Sequence, residues 1–466
     1  MSDDAPSDAL VLFGFTGDLA NKKIFPALYA LAKKGRLPRR VIGVAGRPLD
    51  AAAVQQRVRD SLDKEGGVDD AAALDRLLSA TSYVNGDYHK PDVFAALKKA
   101  LGDARRPAHY LAVPPELFET VIRQLGSTGL AKDARLIVEK PFGRDLASAK
   151  ALDAVARSEF PDKAIFRIDH YLGKEAIMNL LYFRFSNAFL EPLWCRDHVE
   201  SVQMTLAEDF GIGERGGFYE TAGALRDVVE NHLFQVLALL AMEPPASCGF
   251  ADVQSAKAAV FEALRPLAPA DLVRGQYTGY RDEKDVAPDS DVETFVALKA
   301  FVDTPRWRDV PWFLRAGKKL PQTAVEVQIQ FKPASTALFP DSGAAGGRAN
   351  YLRFRLQPKV SIALAARVKR PGKAFVGDQR ELFLCDDLDG EQSAYERLLG
   401  DAMAGDGSLF TSARAVEAAW TAVDRVLVDH PRALPYEPGS WGPKEADAMI
   451  ADRGGWQAPD PDAACA

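Results

Sequence analysis

A regular alternation of short apolar runs with helical patterns, over about the first 170 residues, limits the folds open to this chain more than any other feature. The first apolar run, Ala9–Phe13, ends at Gly14, and a second run spans Val41–Ala45. A helical pattern over Lys23–Lys34 separates them, with Pro26 expected in its first turn, where proline is tolerated. A strand, a helix and a second buried strand in succession predict a βαβ unit with parallel pairing.

The same alternation continues through two more apolar runs. Ala108–Val113 stops at Pro114, and Arg135–Glu139 stops before Pro141, with helical patterns between them. Repeated βα units of this kind predict an α/β amino-terminal domain, with a doubly wound, Rossmann-type parallel sheet, over residues 1–175.

Beyond residue 175 the apolar residues alternate with polar ones in period two. Three segments show it most clearly: Glu200–Leu206, Ala324–Phe331 and Tyr351–Leu356. Such alternation predicts half-buried antiparallel strands, and the run Ala222–Met242 predicts a long helix beside them. Residues 176–466 are therefore expected to form an α+β domain with a large, mainly antiparallel sheet. A flexible loop is expected over 341–347, and the tail after Gly454 is expected to fray.

Charge and composition narrow the class of protein. A net charge of -7 over 466 residues argues against a nucleic-acid or anionic-membrane partner, and no apolar run is long enough to span a bilayer. The polar, acidic start of the chain does not resemble a signal peptide. The cysteines have neither close pairing nor metal-ligand spacing and are expected to be reduced thiols in a cytoplasmic protein: Cys195, Cys248, Cys385 and Cys465.

The turn after the first strand is rich in glycine. Glycines there let the backbone approach a pyrophosphate, which the free N–H groups of the helix start attract, although any strand-to-helix turn favours glycine. The expected cofactor contacts are Gly14, Thr16, Gly17, Asp18 and Leu19. Arg47 follows the second strand, where an arginine pairs with the 2′-phosphate of NADP. NADP is therefore favoured and NAD stays possible, while an exposed loop arginine is the alternative.

The stretch Arg167–Glu175 gathers polar groups where an apolar run ends. His170, Tyr171 and Lys174 can donate hydrogen bonds to an anion, and Lys174 adds a positive charge. Asp169 could orient a histidine elsewhere in the fold. Such a set suits a sugar phosphate at a catalytic mouth, and a solvated loop leading into a helix is the alternative.

Two further residues are candidates for the chemistry. His232 suits a general base, because the imidazole pKa lies near neutrality. In the predicted helix it shares a face with apolar residues at helical spacing, namely Leu225, Val229 and Val236. It is therefore expected to point inward, with a hydrogen-bonded core histidine as the alternative. Lys140 lies at a strand end facing the same crevice as the nucleotide turn and could reach both nicotinamide and substrate.

Several of these segments together resemble the glucose-6-phosphate dehydrogenase family. The matching motifs are GxxGDL at Gly14–Leu19, EKP at Glu139–Pro141, RIDHYLGKE at Arg167–Glu175, RDVxxNHL at Arg226–Leu233 and RxGK at Arg315–Lys318. The resemblance keeps the same order through most of the chain, from about Ala9 to about Ile450. The chain departs from the family pattern at Phe15, where a small residue is usual, and at Gly46 and Thr323, where basic residues are often found.

The resemblance implies a reaction. It implies the oxidation of glucose 6-phosphate to 6-phosphoglucono-1,5-lactone with transfer of hydride to NADP, the first step of the pentose phosphate pathway. It also implies a homodimer or homotetramer, and chemistry that needs no metal. His232 would be the general base, and Asp169 would be its hydrogen-bond partner, as in catalytic triads.

The resemblance also implies the binding residues. Those implied for the substrate are His170, Tyr171, Lys174, Glu208, Asp227, Lys318, Lys140 and Lys23. Tyr110 would lie near the nicotinamide, and a core tyrosine is its alternative. Without the resemblance, Glu208 and Asp227 would pass as surface carboxylates, and Lys23 as an exposed lysine in the first helical turn.

Two other classes of function stay open at this point. A dehydrogenase of unphosphorylated sugars could share the EKP motif, and it would oxidise glucose at least as well as glucose 6-phosphate. A regulator that binds a sugar phosphate or NADP without turnover is the second alternative. It would need neither His232 nor Asp169 as a catalytic pair.

Overall fold

The computed structural model describes residues 5–247, 249–336, 338–339, 350–385 and 392–460. The loop expected over 341–347 lies outside the described residues. Within that part of the chain, two compact units form. The first consists of Met1–Glu175, Ala246–Ser255 and Glu391–Glu417, and the second of Ala176–Pro245, Ala256–Gly390 and Ala418–Ala466. The division into domains 1–175 and 176–466 remains a prediction, which did not include the two later segments of the first unit.

Strands and helices are numbered in chain order. The strands are β1 (Ala9–Phe13), β2 (Arg40–Ala45), β3 (Thr81–Asn85), β4 (Pro107–Leu111), β5 (Arg135–Glu139), β6 (Ile165–Ile168), β7 (Val199–Ala207), β8 (Leu272–Tyr277), β9 (Phe295–Ala300), β10 (Trp312–Gly317), β11 (Ala324–Phe331), β12 (Tyr351–Gln357), β13 (Ser361–Lys369), β14 (Gly377–Cys385) and β15 (Leu434–Tyr436). The α-helices are α1 (Phe25–Lys33), α2 (Ala51–Lys64), α3 (Ala71–Ala80), α4 (Pro91–Leu101), α5 (Phe118–Ser127), α6 (Leu146–Glu159), α7 (Glu175–Ser186), α8 (Gly216–Ala224), α9 (Phe234–Ala241), α10 (Phe250–Glu262), α11 (Ala394–Ala404), α12 (Ala413–Val423) and α13 (Glu445–Ala448).

The first unit contains a parallel sheet. In the described residues its strand order is β3-β2-β1-β4-β5-β6, the order of a Rossmann-type fold. Its central strands β1, β4 and β5 are buried along their whole length, because helices cover both faces. One of the two core clusters on these faces includes Leu398, Met403 and Phe410, so the late segment around α11 belongs to the core of this unit.

The first helix differs from the expected Lys23–Lys34. The chain is helical from Asp18, and a π-helical turn over Ala20–Ile24 precedes α1. Pro26 is the second residue of α1 and lies in the first turn of that helix, as expected. Proline has no backbone N–H to donate. The π-helical turn Ala20–Ile24, just before α1, makes room for a residue that lacks this hydrogen bond.

The second unit contains a mixed sheet. Within the described residues its order is β14-β13-β12-β11-β7-β10-β9-β8-β15. The β7–β10 and β15–β8 pairs are parallel, and the other pairs are antiparallel, so the mainly antiparallel sheet is confirmed. No helix in the described part of the chain is both long and apolar enough to cross a membrane.

The half-buried character expected for these strands was wrong for β7 and β11, which are buried on nearly every residue. The carboxyl-terminal segment 455–460 lies against polar side chains of the sheet. The Gln203 Nε2 donates to the Gly455 carbonyl at 3.3 Å, and Gln203 Oε1 accepts from the Gln457 N–H at 2.9 Å. The expected fraying after Gly454 was therefore also wrong for the described part of the tail.

The expected long helix Ala222–Met242 has three parts. It consists of the end of α8, a π-helix over Leu225–Leu233 and α9. Gly223 breaks the α-helical geometry with a φ of +62°. The inward position expected for His232 is confirmed, because its side chain is buried.

Candidate active site

The nucleotide turn lies where the parallel sheet of the first unit changes direction, between β1 and β4. Gly14 follows β1 with a φ of +85°, and a Cβ there would lie 2.0 Å from the carbonyl oxygen of Ala112, which follows β4. Only glycine fits this position. The Gly17 N–H donates to the Gly14 carbonyl at 2.9 Å, and a Cβ on Gly17 would fill the space beside that carbonyl. The turn therefore has the open backbone that a pyrophosphate needs.

Phe15 does not obstruct this turn. Its ring is fully buried and packs against Phe25 and Tyr83, with centroid separations of 4.9 and 5.5 Å. Gly43 on β2 makes room for it, because a Cβ at that position would lie 2.2 Å from the Phe15 ring. The bulky side chain therefore points into the core.

The end of β2 carries positive charge. Arg47 is exposed just beyond the strand, and Tyr83 of β3 donates a hydrogen bond to the Ala45 carbonyl at 2.9 Å. Arg57 of α2 donates to the carbonyl of Thr16. Two arginines beside a glycine-rich turn fit a dinucleotide that carries an extra phosphate, so the residues present suit NADP.

Lys140 and Tyr110 lie around a buried carboxyl group. Glu139 at the end of β5 accepts a hydrogen bond from the hydroxyl of Tyr110. Burial raises the pKa of Glu139 to about 7, while the bonds from Tyr110 and Tyr395 and the charge of Lys140 act in the opposite direction. Tyr110 is fully buried, which favours the alternative of a core tyrosine, and its cofactor contact stays a prediction.

The stretch after β6 forms a 3₁₀ turn over His170–Gly173. Asp169 caps it, because one carboxylate oxygen accepts the Tyr171 N–H at 3.0 Å. The Lys174 Nζ lies 4.0 Å from the centre of the Tyr171 ring. The phosphate-binding candidates His170, Tyr171 and Lys174 are thus brought together by one turn at the carboxyl end of a parallel strand.

Helix α11 supports this turn. The Tyr395 ring stacks on His170 at 6.0 Å with an interplanar angle of 12°. Arg397 pairs with Glu175 and donates to the Gly173 carbonyl at 3.2 Å. Sequence reasoning missed both residues, because they lie more than two hundred positions from the turn.

In the second unit, parallel pairing assembles Glu208 and Lys318. The ends of β7 and β10 are in register at Ala207 and Gly317, so the next residue of each strand lies at the same edge. The Lys318 Nζ lies 2.6 Å from a Glu208 carboxylate oxygen. Lys318 is buried, with its Nζ 5.3 Å from the centre of the Tyr219 ring.

The π-helix adds Asp227 and His232 to the second unit. Hydrogen bonding from residue i to i+5 brings residues five apart to nearly the same side, whereas an α-helix would separate them by about 140°. Burial raises the pKa of Tyr219 well above its usual value, and the charges of Asp227 and Glu208 add to that effect. Asp227 and Glu208 therefore share the neighbourhood of Tyr219.

The structure also shows the surroundings of Lys23, Thr323 and Lys319. Lys23 is exposed in the π-helical turn before α1, in accord with the alternative of an exposed lysine, and its substrate contact stays a prediction. The Thr323 hydroxyl donates to Asp209 at 2.5 Å. The Lys319 ammonium group pairs with Glu283 at 3.3 Å. Lys319 therefore does not replace the basic residue that the family often has at the position of Thr323.

These features define a class of protein. A Rossmann-type unit with a dinucleotide turn, and an α+β unit with a buried histidine, carboxylates and a lysine at a strand edge, are typical of a nicotinamide-dependent oxidoreductase. Two protein-family models match the sequence. The family model "Glucose-6-phosphate dehydrogenase, NAD binding domain" matches residues 11–179, and the family model "Glucose-6-phosphate dehydrogenase, C-terminal domain" matches residues 181–457. The chain belongs to the glucose-6-phosphate dehydrogenase family.

Relatives and solved structures match this chain over nearly its whole length. Glucose-6-phosphate 1-dehydrogenase 1 of Mycobacterium tuberculosis is 40% identical over 97% of both chains. The crystal structure of glucose-6-phosphate 1-dehydrogenase from Mycobacterium avium has a TM-score of 0.89 and 41% identity, covering 97% of this chain and 99% of the other. A glucose-6-phosphate dehydrogenase in complex with its substrate glucose-6-phosphate has a TM-score of 0.89 and 34% identity, covering 99% and 100%.

Membership of this family confirms the predicted fold class, oxidoreductase class and glucose-6-phosphate dehydrogenase activity, and it supports NADP as the cofactor. It also argues against the two alternatives, a dehydrogenase of unphosphorylated sugars and a regulator without turnover. The roles of individual residues are not tested by these matches.

Proposed function

We propose that His232 is the general base of this dehydrogenase and that Asp169 orients it. The proposal rests on one observation above all, the buried position of His232 on a π-helix that also carries Asp227. Such helices occur frequently at functional sites. A buried imidazole with an orienting carboxylate keeps one tautomer and stabilises the imidazolium that forms.

The remaining residues bind and orient the sugar phosphate. Lys174, His170 and Tyr171 hold the phosphate by charge and hydrogen bonds. Glu208 and Asp227 accept hydrogen bonds from sugar hydroxyls, because ionised carboxylates are acceptors only. Lys318 holds the Glu208 carboxylate in place through their 2.6 Å contact. Further contacts with substrate are assigned to Lys140 and Lys23.

The reaction balances without a metal. His232 takes the proton of the anomeric hydroxyl of glucose 6-phosphate as that carbon becomes the lactone carbonyl. NADP, when bound, supplies the acceptor of the hydride from the same carbon. The residues proposed to hold NADP are Gly14, Thr16, Gly17, Asp18, Leu19, Arg47, Tyr110 and Lys140.

The decisive variant is His232→Asn. Loss of a general base lowers turnover by about 10²–10⁴-fold, whereas the Michaelis constant for glucose 6-phosphate should change little. Reduction of NADP, followed by its near-ultraviolet absorbance, measures both. The exposed His198 provides the control, since His198→Asn should leave both constants unchanged. Near-normal turnover in His232→Asn would remove the assignment of the base.

The assembly and location are also part of the proposal. Strands β13 and β14, at one edge of the described sheet, expose four large apolar side chains: Leu364, Val368, Leu382 and Leu384. An apolar sheet surface of this kind supports pairing with a second copy of the chain, as a homodimer or within a homotetramer. A mass close to that of one chain in light scattering would contradict it. We also propose a cytoplasmic location, which the free thiol of Cys195 suits.

A further inference from the structure

Arg57 lies beside the nucleotide turn although nothing in its sequence context marks it. It lies on α2, and one guanidinium nitrogen donates to the carbonyl of Thr16. Its Nε is buried, with no hydrogen-bond partner among the described residues. A guanidinium has five N–H donors, so the bond to Thr16 leaves most of its donors for another acceptor.

A second arginine converges on the same place. The Tyr83 hydroxyl bonds to the carbonyls of Ala45 and Arg47, which fixes the backbone that carries the Arg47 side chain. Burial raises the pKa of Tyr83, and the positive charges of Arg57 and Arg47 act against that rise. Both guanidinium groups are therefore close enough to Tyr83 to influence its phenol.

The space beside Gly46, the residue before Arg47, is open. Gly46 carries no side chain, and a Cβ there would meet only the Gly86 carbonyl, at 3.9 Å. The position follows β2, where Rossmann-type folds bind the adenosine ribose. Thr16, to which Arg57 is bonded, belongs to the turn that approaches the pyrophosphate.

We propose that Arg57 and Arg47 together bind the 2′-phosphate of the cofactor, and that Arg57 is a determinant of the preference for NADP over NAD. The inference rests on the proposed function for the identity of the cofactor. A 2′-phosphate carries up to two negative charges and several acceptor oxygens, and two planar guanidinium groups match both. NAD has a hydroxyl at the 2′ position, so it offers the two arginines no anionic group to bind.

A purely structural Arg57 would behave differently. If it only held the Thr16 carbonyl, its loss would loosen the nucleotide turn for both cofactors alike. The readout must therefore compare two ligands that differ only in the 2′-phosphate. Adenosine 2′,5′-bisphosphate and adenosine 5′-monophosphate are such a pair.

The test uses the full chain with Arg57→Gln and with Arg59→Gln as the matched control. Arg59 lies two residues further along the same helix, about 200° around its axis, so its loss removes the same charge from another face. Arg57→Gln should raise the Michaelis constant for NADP by about tenfold to a hundredfold, as expected for a charge-assisted hydrogen bond, and that for NAD by less than about twofold. Arg57→Lys, which keeps the charge, should fall between Gln and the wild type.

Calorimetry provides the readout that does not need turnover. The wild type and Arg59→Gln should bind the bisphosphate more tightly than the monophosphate, and Arg57→Gln should lose about tenfold or more of that difference. Equal weakening of both ligands, no weakening of either, or no discrimination by the wild type would overturn the proposal. A wild type that discriminates the ligands but does not oxidise glucose 6-phosphate would leave this inference standing and remove the proposed function instead.

Discussion

Glu139 is a buried carboxyl group whose pKa is set by its surroundings. It accepts hydrogen bonds from the hydroxyls of Tyr110 on β4 and Tyr395 on α11, with Lys140 and Asp169 as its charged neighbours. Burial outweighs the bonds and the lysine and raises its pKa to about 7. In the unfolded chain the pKa of a glutamate is close to 4.3. At a pH between these two pKa values, Glu139 is protonated in the native state and ionised in the unfolded state.

The sign of the pH dependence follows. Between about pH 4.3 and 7 the native chain binds more protons at Glu139, so its contribution to the free energy of unfolding is complete at low pH and is lost as the pH rises through 7. In Glu139→Gln the side chain stays neutral, so the urea midpoint should fall less between pH 5 and 8 than in the wild type. The exposed Glu119, in Glu119→Gln, is the control and should follow the wild type. Parallel pH curves for all three proteins would show that Glu139 is ionised throughout.

At the scale of elements, the π-helix is held at its first turn by one carboxylate. Glu293 accepts the Leu225 N–H at 3.0 Å with one oxygen, and its other oxygen lies 2.8 Å from the Arg274 guanidinium. A Cβ on Gly223 would lie 2.4 Å from Glu293, so the kink before the helix also depends on glycine. The buried Arg274–Glu293 pair therefore sets the start of the helix that carries His232.

Removing the charge of Glu293 should affect both stability and catalysis. Glu293→Gln removes one of the negative charges that pair with the buried Arg274 guanidinium. The substitution should therefore lower the free energy of unfolding by about 3 kcal/mol. Because the helix start is displaced, turnover should fall more than the affinity for glucose 6-phosphate. Asp303→Asn breaks an exposed pair with Arg265 and should cost less than about 1 kcal/mol. Equal losses in the two variants, measured by urea unfolding, would contradict an anchoring role.

Sequence patterns predicted the strands of this chain better than its helices. The bounds of β1, β5 and β11 were predicted to the residue, because each is a run of distinct apolar or alternating character between polar ends. The π-helix over Leu225–Leu233 was not predicted, because the apolar spacing of this segment also fits the α-helical period. Its anchor Glu293 lies 68 positions from Leu225 and carries no local signal.

The candidate site was predictable to a similar degree. Residues that follow strand ends, such as Asp169, Glu208 and Lys318, lie inside motifs that sequence alone can find. Arg57 and Tyr395 reach their sites through tertiary packing, and nothing in their own segments identifies them. Local patterns thus reveal groups at strand ends, while supporting groups from distant helices appear only in the folded chain.

At the scale of the molecule, the first unit is completed by late parts of the chain. Arg135 on β5 is buried and donates to the carbonyl of Met403 at 2.5 Å and to the Ser7 hydroxyl at 2.9 Å. The Ser7 N–H also donates to the Met403 carbonyl at 2.7 Å. The beginning of the chain and the last turn of α11 are therefore tied to the same arginine, so neither is an appendage of the first unit.

The tail has the corresponding role in the second unit. Arg315 of β10 is buried, and its guanidinium lies 4.4 Å from the centre of the Trp441 ring and 4.7 Å from that of Trp456. The same side chain donates to the Gln457 carbonyl at 3.0 Å. The Trp456 indole N–H donates to the Ala446 carbonyl at 2.9 Å, which fixes the tail over the sheet. The tail thus covers Gln203 and Arg315, two buried polar residues of the sheet.

This arrangement makes the tail a stability element. A chain that ends at Gly454 loses the Trp456 ring and the Gln457 carbonyl that accepts from Arg315, and it should lose about 2 kcal/mol or more of unfolding free energy. A chain that ends at Asp460 keeps all of these contacts and is the control. Thermal unfolding should give a lower midpoint for the shorter chain only. If both truncated chains melt with the full-length protein, the contacts of residues 455–460 contribute nothing to stability, and the burial of the polar face must come from another part of the sheet.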